Sequence, residues 1–171
     1  ININCLAMTE GEGNAPPPQS RVVQTFEAIM QPSIYDSIFE EEKLDGNRYT
    51  RQEVLTAMVD YIDADIKRYD LARLKSGGTG ENYRYTELYD AYEPRNARLD
   101  SIEELHLVEG VDDDIMAAFS HFLTTYGDCK VNLNFASPEQ IAFVLKHAVA
   151  GKDRWKTEGD NFLTMTMPLA N

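Results

Sequence analysis

This chain of 171 residues has few of the groups on which most enzymes and nucleic-acid-binding proteins depend. It carries three histidines, two cysteines and one tryptophan. His106, His121 and His147 fall on separate predicted helices, none with a partner at i+4, which removes the usual zinc arrangement. No G-x-S-x-G occurs, and neither cysteine has a histidine nearby in sequence, so no nucleophile signature is present. Basic residues number 16 against 29 acids, a net charge of -13. Phosphate binding requires clustered Lys and Arg, so this balance argues against nucleic acid and anionic membrane surfaces. No apolar run approaches the length of a membrane span, and no signal peptide is recognisable. The glycine run Lys75–Gly80 is not a phosphate-binding loop, because its lysine precedes the glycines and no G-K-[ST] follows.

Hydrophobic residues make up 43% of the chain, enough for a substantial core in one or two domains. The sequence opens Ile1-Asn-Ile-Asn without Met and already alternates like a strand. We expect a piece of a longer protein. Thr9–Gln19 reads as a loop, broken by Pro16-Pro17-Pro18. Ser20 caps a predicted helix with Val22, Val23, Phe26, Ile29 and Met30 on one face, stopped at Pro32. A shorter segment with Ile34, Ile38 and Phe39 follows, and Asp45-Gly46-Asn47 forms a turn. Thr50 with Glu53 is a capping box opening an amphipathic helix through Val54, Leu55, Met58, Val59 and Ile62. Residues 66–96 read as a long irregular connection, with Tyr83, Tyr85, Tyr89 and Tyr92 packing onto the helices.

Residues 96–149 are the most densely punctuated. Ser101 with Glu104 is a second capping box, leading a helix with Ile102, Leu105 and Leu107 that Gly110 ends. Asp112 caps the next helix, with Ile115, Met116, Phe119, Phe122 and Leu123 at helical spacing and Gly127 closing it. Lys130–Phe135 alternates as a half-buried strand, and Ser137-Pro-Glu-Gln opens a third helix. Near the end, Leu163–Met167 alternates again. The architecture expected is α+β: a mostly helical body over residues 16–128, inserted between strands of a small antiparallel sheet drawn from 1–8 and 129–171.

Two features raise the question of a site. Asp60, Asp63 and Asp65 crowd the last turn of the Thr50 helix, where the macrodipole disfavours acids. Asp60 and Asp63, three apart, repel one another. A cation would offset this, and D-x-D is an oxygen-rich start for calcium, although the EF-hand pattern fails. Read alone, the cluster is more often a solvated helix end. The cysteines sit in mirrored settings, Ile1-Asn-Ile-Asn-Cys5 and Cys129-Lys-Val-Asn-Leu-Asn134. If those segments pair antiparallel, Cys5 meets Cys129; otherwise they are two unrelated small apolar residues. Spacing leaves both readings open.

The serious rival function is nucleic-acid binding, because L-x-L-V-E-G-V followed by a helix looks like a helix–hairpin–helix unit. Such units hold phosphate on the amides of a helix N-terminus. Here Asp112, Asp113 and Asp114 occupy that place with no basic cluster around them. Electrostatics decides against DNA.

The ordered set Ile1–Asn4, Asp60–Asp65, Gly78–Tyr85, Asn96, Ser101–Val111 and Val131–Glu139 resembles the type II secretion minor pseudopilin GspK family. Segments 9–49 and 66–80 have no firm counterpart in that pattern. The resemblance implies a pseudopilin fold with a large helical insertion, SAM-like or helix–hairpin–helix-like, whose N-terminal hydrophobic helix is missing from this piece. It implies a non-enzymatic subunit at the pseudopilus tip, on the periplasmic face of the bacterial inner membrane. Its implied partners are the minor pseudopilins GspI and GspJ, with secreted cargo as a further partner. It also implies calcium in the inserted domain, held first by Asp63 and Asp65, with Asp60 and Glu81 as further ligands.

Overall fold

A computed structural model of the chain describes residues 1–10, 17–43, 45–80, 83–86 and 91–130. The chain divides into two compact units, Ile1–Cys129 and Lys130–Asn171. Every described helix and strand belongs to the first. The strand and helix expected over 130–149 and the strand expected at 163–167 lie outside the described residues.

Five α-helices and one two-stranded antiparallel sheet are seen among the described residues. The fold is α+β. The helices are α1 (Pro18–Met30), α2 (Asp36–Glu40), α3 (Arg51–Ile62), α4 (Tyr83–Thr86) and α5 (Asp113–Phe119). Helix α1 starts earlier than Ser20, because Pro18 lies in its first turn, where its fixed φ suits a helix and its missing N–H costs nothing. The predicted face is buried: Val22, Val23, Phe26, Ile29 and Met30. Helix α3 opens on a complete capping box, Thr50 accepting from the Glu53 amide and Glu53 reaching back to Thr50. Its Val54, Leu55, Met58, Val59 and Ile62 are all in the core.

The opening segment is not the strand its alternation suggested. Ile3–Ala7 is a 3-10 helix capped by Asn2, whose side chain accepts from the Asn4 amide. That local bond turns the chain away from extended geometry. Ile3, Cys5 and Leu6 are then fully enclosed in the core. The asparagines do the pairing a strand would have done. Asn4 accepts from the Leu99 amide at 2.7 Å and donates to the carbonyls of Leu99 and Thr125, and Asn2 donates to Gly127. A single parallel bridge, Asn2 with Thr124, completes the seam.

The same seam shortens α5. The sequence predicts a helix through Leu123 to Gly127, but α5 ends at Phe119, a 3-10 turn follows at Ser120–Phe122, and Leu123 is extended. Thr124 exchanges backbone hydrogen bonds with Ile1 and Ile3 at 2.8 and 2.9 Å, which a helical Thr124 would not reach. Gly127 has positive φ in the turn beyond. The segment Ile102–Leu107 likewise forms a 3-10 helix rather than an α-helix. Glu104 does reach back to the Ser101 and Asp100 amides, but only six residues separate the cap from extended Val108, and such short runs tighten readily. Gly110 ends this region as expected. Its φ is +76° and a Cβ there would lie 2.8 Å from the Tyr49 ring, so both conformation and space require glycine.

Cys5 and Cys129 are joined by a disulfide, with Cα atoms 5.7 Å apart across a sequence separation of 124. Cys5 enters it from the 3-10 helix rather than from a strand. Closing so long a loop stabilises by about 5 kcal/mol in the chain-entropy account.

The most divergent region is 66–96. Instead of an irregular connection it contains a hairpin, β1 (Lys67–Asp70) with β2 (Lys75–Gly80), whose register shifts between Lys67 and Tyr69. Tyr85 and Tyr92 pack as predicted, with Tyr85 buried against Tyr61 and Tyr92 at centroid distances of 6.0 and 5.2 Å. The expectation for the Tyr83 and Tyr89 side chains lies outside the described residues.

Replacing Asn4 by Ala leaves one amide and two carbonyls of the seam without their partner. We expect a loss of roughly 2–4 kcal/mol, read as a lowered urea midpoint with unchanged slope.

Candidate metal centre

Asp60, Asp63 and Asp65 come from the C-terminal end of α3 and the turn into β1. Helix α3 stops at Asp63, which is extended and whose amide still donates to Val59. The hairpin then folds back against the helix. The Tyr69 amide donates to Asp60 Oδ1 at 2.7 Å, and the Ser76 hydroxyl approaches Asp63 Oδ2 at 3.4 Å. Asp65 Oδ1 accepts from the Lys67 amide at the start of β1.

Burial makes this cluster unusual. Asp63 has no accessible surface and Asp60 retains 5%, whereas Asp65 is only partly covered. Asp63 Oδ1 is buried with no hydrogen-bond partner. Loss of water pushes the Asp63 carboxyl up to about 7, and the charges of Asp65 and Asp60 add to the rise. Asp60 is pushed up to about 6, again mainly by burial, with the Tyr69 amide and Arg68 opposing. A buried carboxylate beside two like charges must either hold a proton or find a cation.

An orphaned buried oxygen flanked by two further carboxylates suits a hard divalent cation that takes oxygen ligands. The set is not closed. Among the described residues no three His, Cys, Asp or Glu side chains converge as a metal site, and Glu81 lies outside the described residues. The hairpin is what the sequence did not disclose. Lys75–Gly80 is poor in β-branched and aromatic residues, so no local signal marks it as the strand that covers Asp63.

The N-terminus of α5 has a different use for its acids. Asp112 accepts from the Ile115 amide at 3.0 Å and pairs with Lys43 at 2.6 Å, while Asp113 lies 3.1 Å from His106. These carboxylates occupy the place a phosphate would need, and Lys43 is spent on one of them.

Three comparisons bear on what this unit is. The family described as type II secretion system (T2SS), protein K, matches residues 1–128. The chain belongs to that family. A solved chain of the GspK–GspI–GspJ complex from the enterotoxigenic Escherichia coli type 2 secretion system has a similar fold, with a TM-score of 0.56 at 18% identity. The match covers 98% of this chain and 49% of that one, so this chain spans about half the length of the solved relative. No curated protein sequence matches it. Among the described residues no helix is long and apolar enough to cross a membrane.

The sign of the pH dependence follows from the raised carboxyls. An unfolded Asp releases its proton near pH 3.9, while folded Asp63 holds its proton to about pH 7. The folded state therefore binds more protons between those values, and stability falls as pH rises through them. In chelator-treated protein we expect a decline of roughly 2–4 kcal/mol between pH 4 and 8 from this carboxyl. Urea midpoints should show it, and Asp63→Asn should flatten the slope.

Proposed function

We propose that this chain is part of a non-enzymatic minor pseudopilin that sits at the tip of the type II secretion pseudopilus and helps its assembly and protein export. The observation that carries the reading is the protein K family match over residues 1–128. The similar fold of a chain solved within a GspK–GspI–GspJ complex supports GspI and GspJ as partners. Secreted proteins are further candidates for its surfaces. The place that suits this role is the periplasmic face of the inner membrane, and the Cys5–Cys129 disulfide fits an oxidising compartment.

In this reading Asp63 and Asp65, with Asp60 and Glu81, hold a calcium ion. Calcium supplies the positive charge that the buried carboxylates lack. Asp63 contributes the oxygen that has no partner within the protein, and the hairpin residues Tyr69 and Ser76 orient the carboxylates through their bonds to Asp60 and Asp63. The ion would tie the end of α3 to the hairpin that folds back against it.

Two measurements test these statements separately. Calcium added to chelator-treated protein should raise the melting temperature by several degrees, with the larger rise at pH 8, where the carboxyls are ionised. Asp63→Ala should abolish the rise, and an unchanged melting temperature in the parent protein would remove the metal. For the assembly role, the protein mixed with soluble GspI and GspJ of the same secretion system should elute as one ternary complex. Separate elution of the three would count against the tip assignment.

A further inference from the structure

The disulfide that closes the N-terminal seam is asymmetric. Cys5 lies in the 3-10 helix Ile3–Ala7, is 1% exposed, and belongs to the same buried core as Ile3 and Leu6. Cys129, at the other end of the bond, keeps part of its surface. A thioether is seated on that second sulfur: Met8 Sδ lies 3.2 Å from Cys129 Sγ. Neither sulfur carries hydrogen while the disulfide is formed, so the two meet in a packing contact and not in a hydrogen bond.

The backbone fixes Met8 in that place. Its amide donates to the Cys5 carbonyl at 3.1 Å, capping the 3-10 helix, and its carbonyl accepts from the Gln19 amide at 3.1 Å. Gln19 is in turn 2% exposed, and its side chain donates to the Leu6 carbonyl at 2.7 Å. Both backbone groups of Met8 are therefore held by neighbouring elements, the end of the 3-10 helix on one side and the first turn of α1 on the other. Met8 itself is 37% exposed. It stands with one part in solvent and its sulfur against the accessible end of the disulfide.

Thiol–disulfide exchange needs a thiolate to reach one of the two sulfurs, and its rate follows that access and the ease with which the other sulfur leaves. We propose that exchange at this bond runs through Cys129 and that Met8 restricts the approach to it. The incoming thiolate forms a bond to Cys129 Sγ, the Cys129–Cys5 bond breaks, and its electron pair leaves on Cys5 Sγ. That thiolate either takes up a proton or returns to Cys129 and expels the added thiol. One disulfide is exchanged for another, so the thiol is the only co-reactant. Attack on Cys5 is closed by its burial. The same burial slows the exchange at Cys129, because the departing charge is released into apolar surroundings, where it is costly. Return is favoured, since Asn2 and Asn4 hold the 3-10 helix against Gly127, Thr125 and Leu99. The exchange depends on neither the calcium ion nor the pseudopilin partners.

The test is reduction of the folded protein by dithiothreitol, stopped by alkylation at timed intervals and read by mass. Met8→Ala should be reduced about tenfold faster than the parent, while Met8→Leu, which keeps most of the bulk, stays close to it. Urea midpoints of the three proteins are measured beside the rates, because reduction through unfolding speeds up with added urea and direct attack does not. A second measurement locates the attack. After brief exposure to excess glutathione and an acid quench, peptide mass spectrometry should find the glutathione adduct on Cys129. Equal rates for the parent and Met8→Ala, a gain in rate that only matches a lowered urea midpoint, or an adduct on Cys5 would overturn the assignment.

Discussion

The first seven residues hold the ends of this unit together. Ile3 and Leu6 lie wholly within the core beside α1 and α3, so the chain cannot close without them. Because they are helical, their backbone cannot form a ladder with the distant segments they touch. Asn4 replaces the ladder, since a side-chain amide carries both a donor and an acceptor and can pair with a backbone much as another backbone would. The amide satisfies two buried groups of Leu99 that would otherwise be left without water or partner, and a third, part-buried carbonyl at Thr125. The Cys5–Cys129 bond then fixes the same seam covalently.

The end of α3 poses the opposite problem. Its hydrogen-bonding groups are mostly satisfied, but its charge is not. Asp63 is enclosed with one oxygen unpartnered, next to two carboxylates that repel it. A protein built only for stability would replace such a group by an apolar one of similar size. In the proposed reading a cation beneath the hairpin offsets that cost. Tyr69 and Ser76 serve the buried acids, while Arg68 and Arg73 line a cleft toward solvent.

The acids at α5 show how one residue type serves unlike ends. Asp112 is held by an amide and an ammonium group and is structurally settled. Asp63 has neither. Linear position does not separate them, as both sit in short runs of aspartate at a helix end. What separates them is which element folds over each.

The residues by themselves determined the helices that carry their own start signals and apolar faces. α1 was legible from its helical periodicity, though not its start, and α3 and the start of α5 from periodicity together with a capping side chain, because both signals act within a few residues. The acid cluster and the two cysteines were legible as questions, through repulsion at a helix end and mirrored placement. Only the tertiary structure decided the rest. The opening alternation became a 3-10 helix because Asn2 caps it locally and Asn4 finds Leu99 across the chain. Helix α5 stops early because Thr124 is needed to pair with Ile1 and Ile3. A glycine-rich run without strand propensity became β2 because pairing with β1 and contact with Asp63 hold it there. In each case the deciding partner lies too far away in sequence, or too weakly marked, for local pattern to register it.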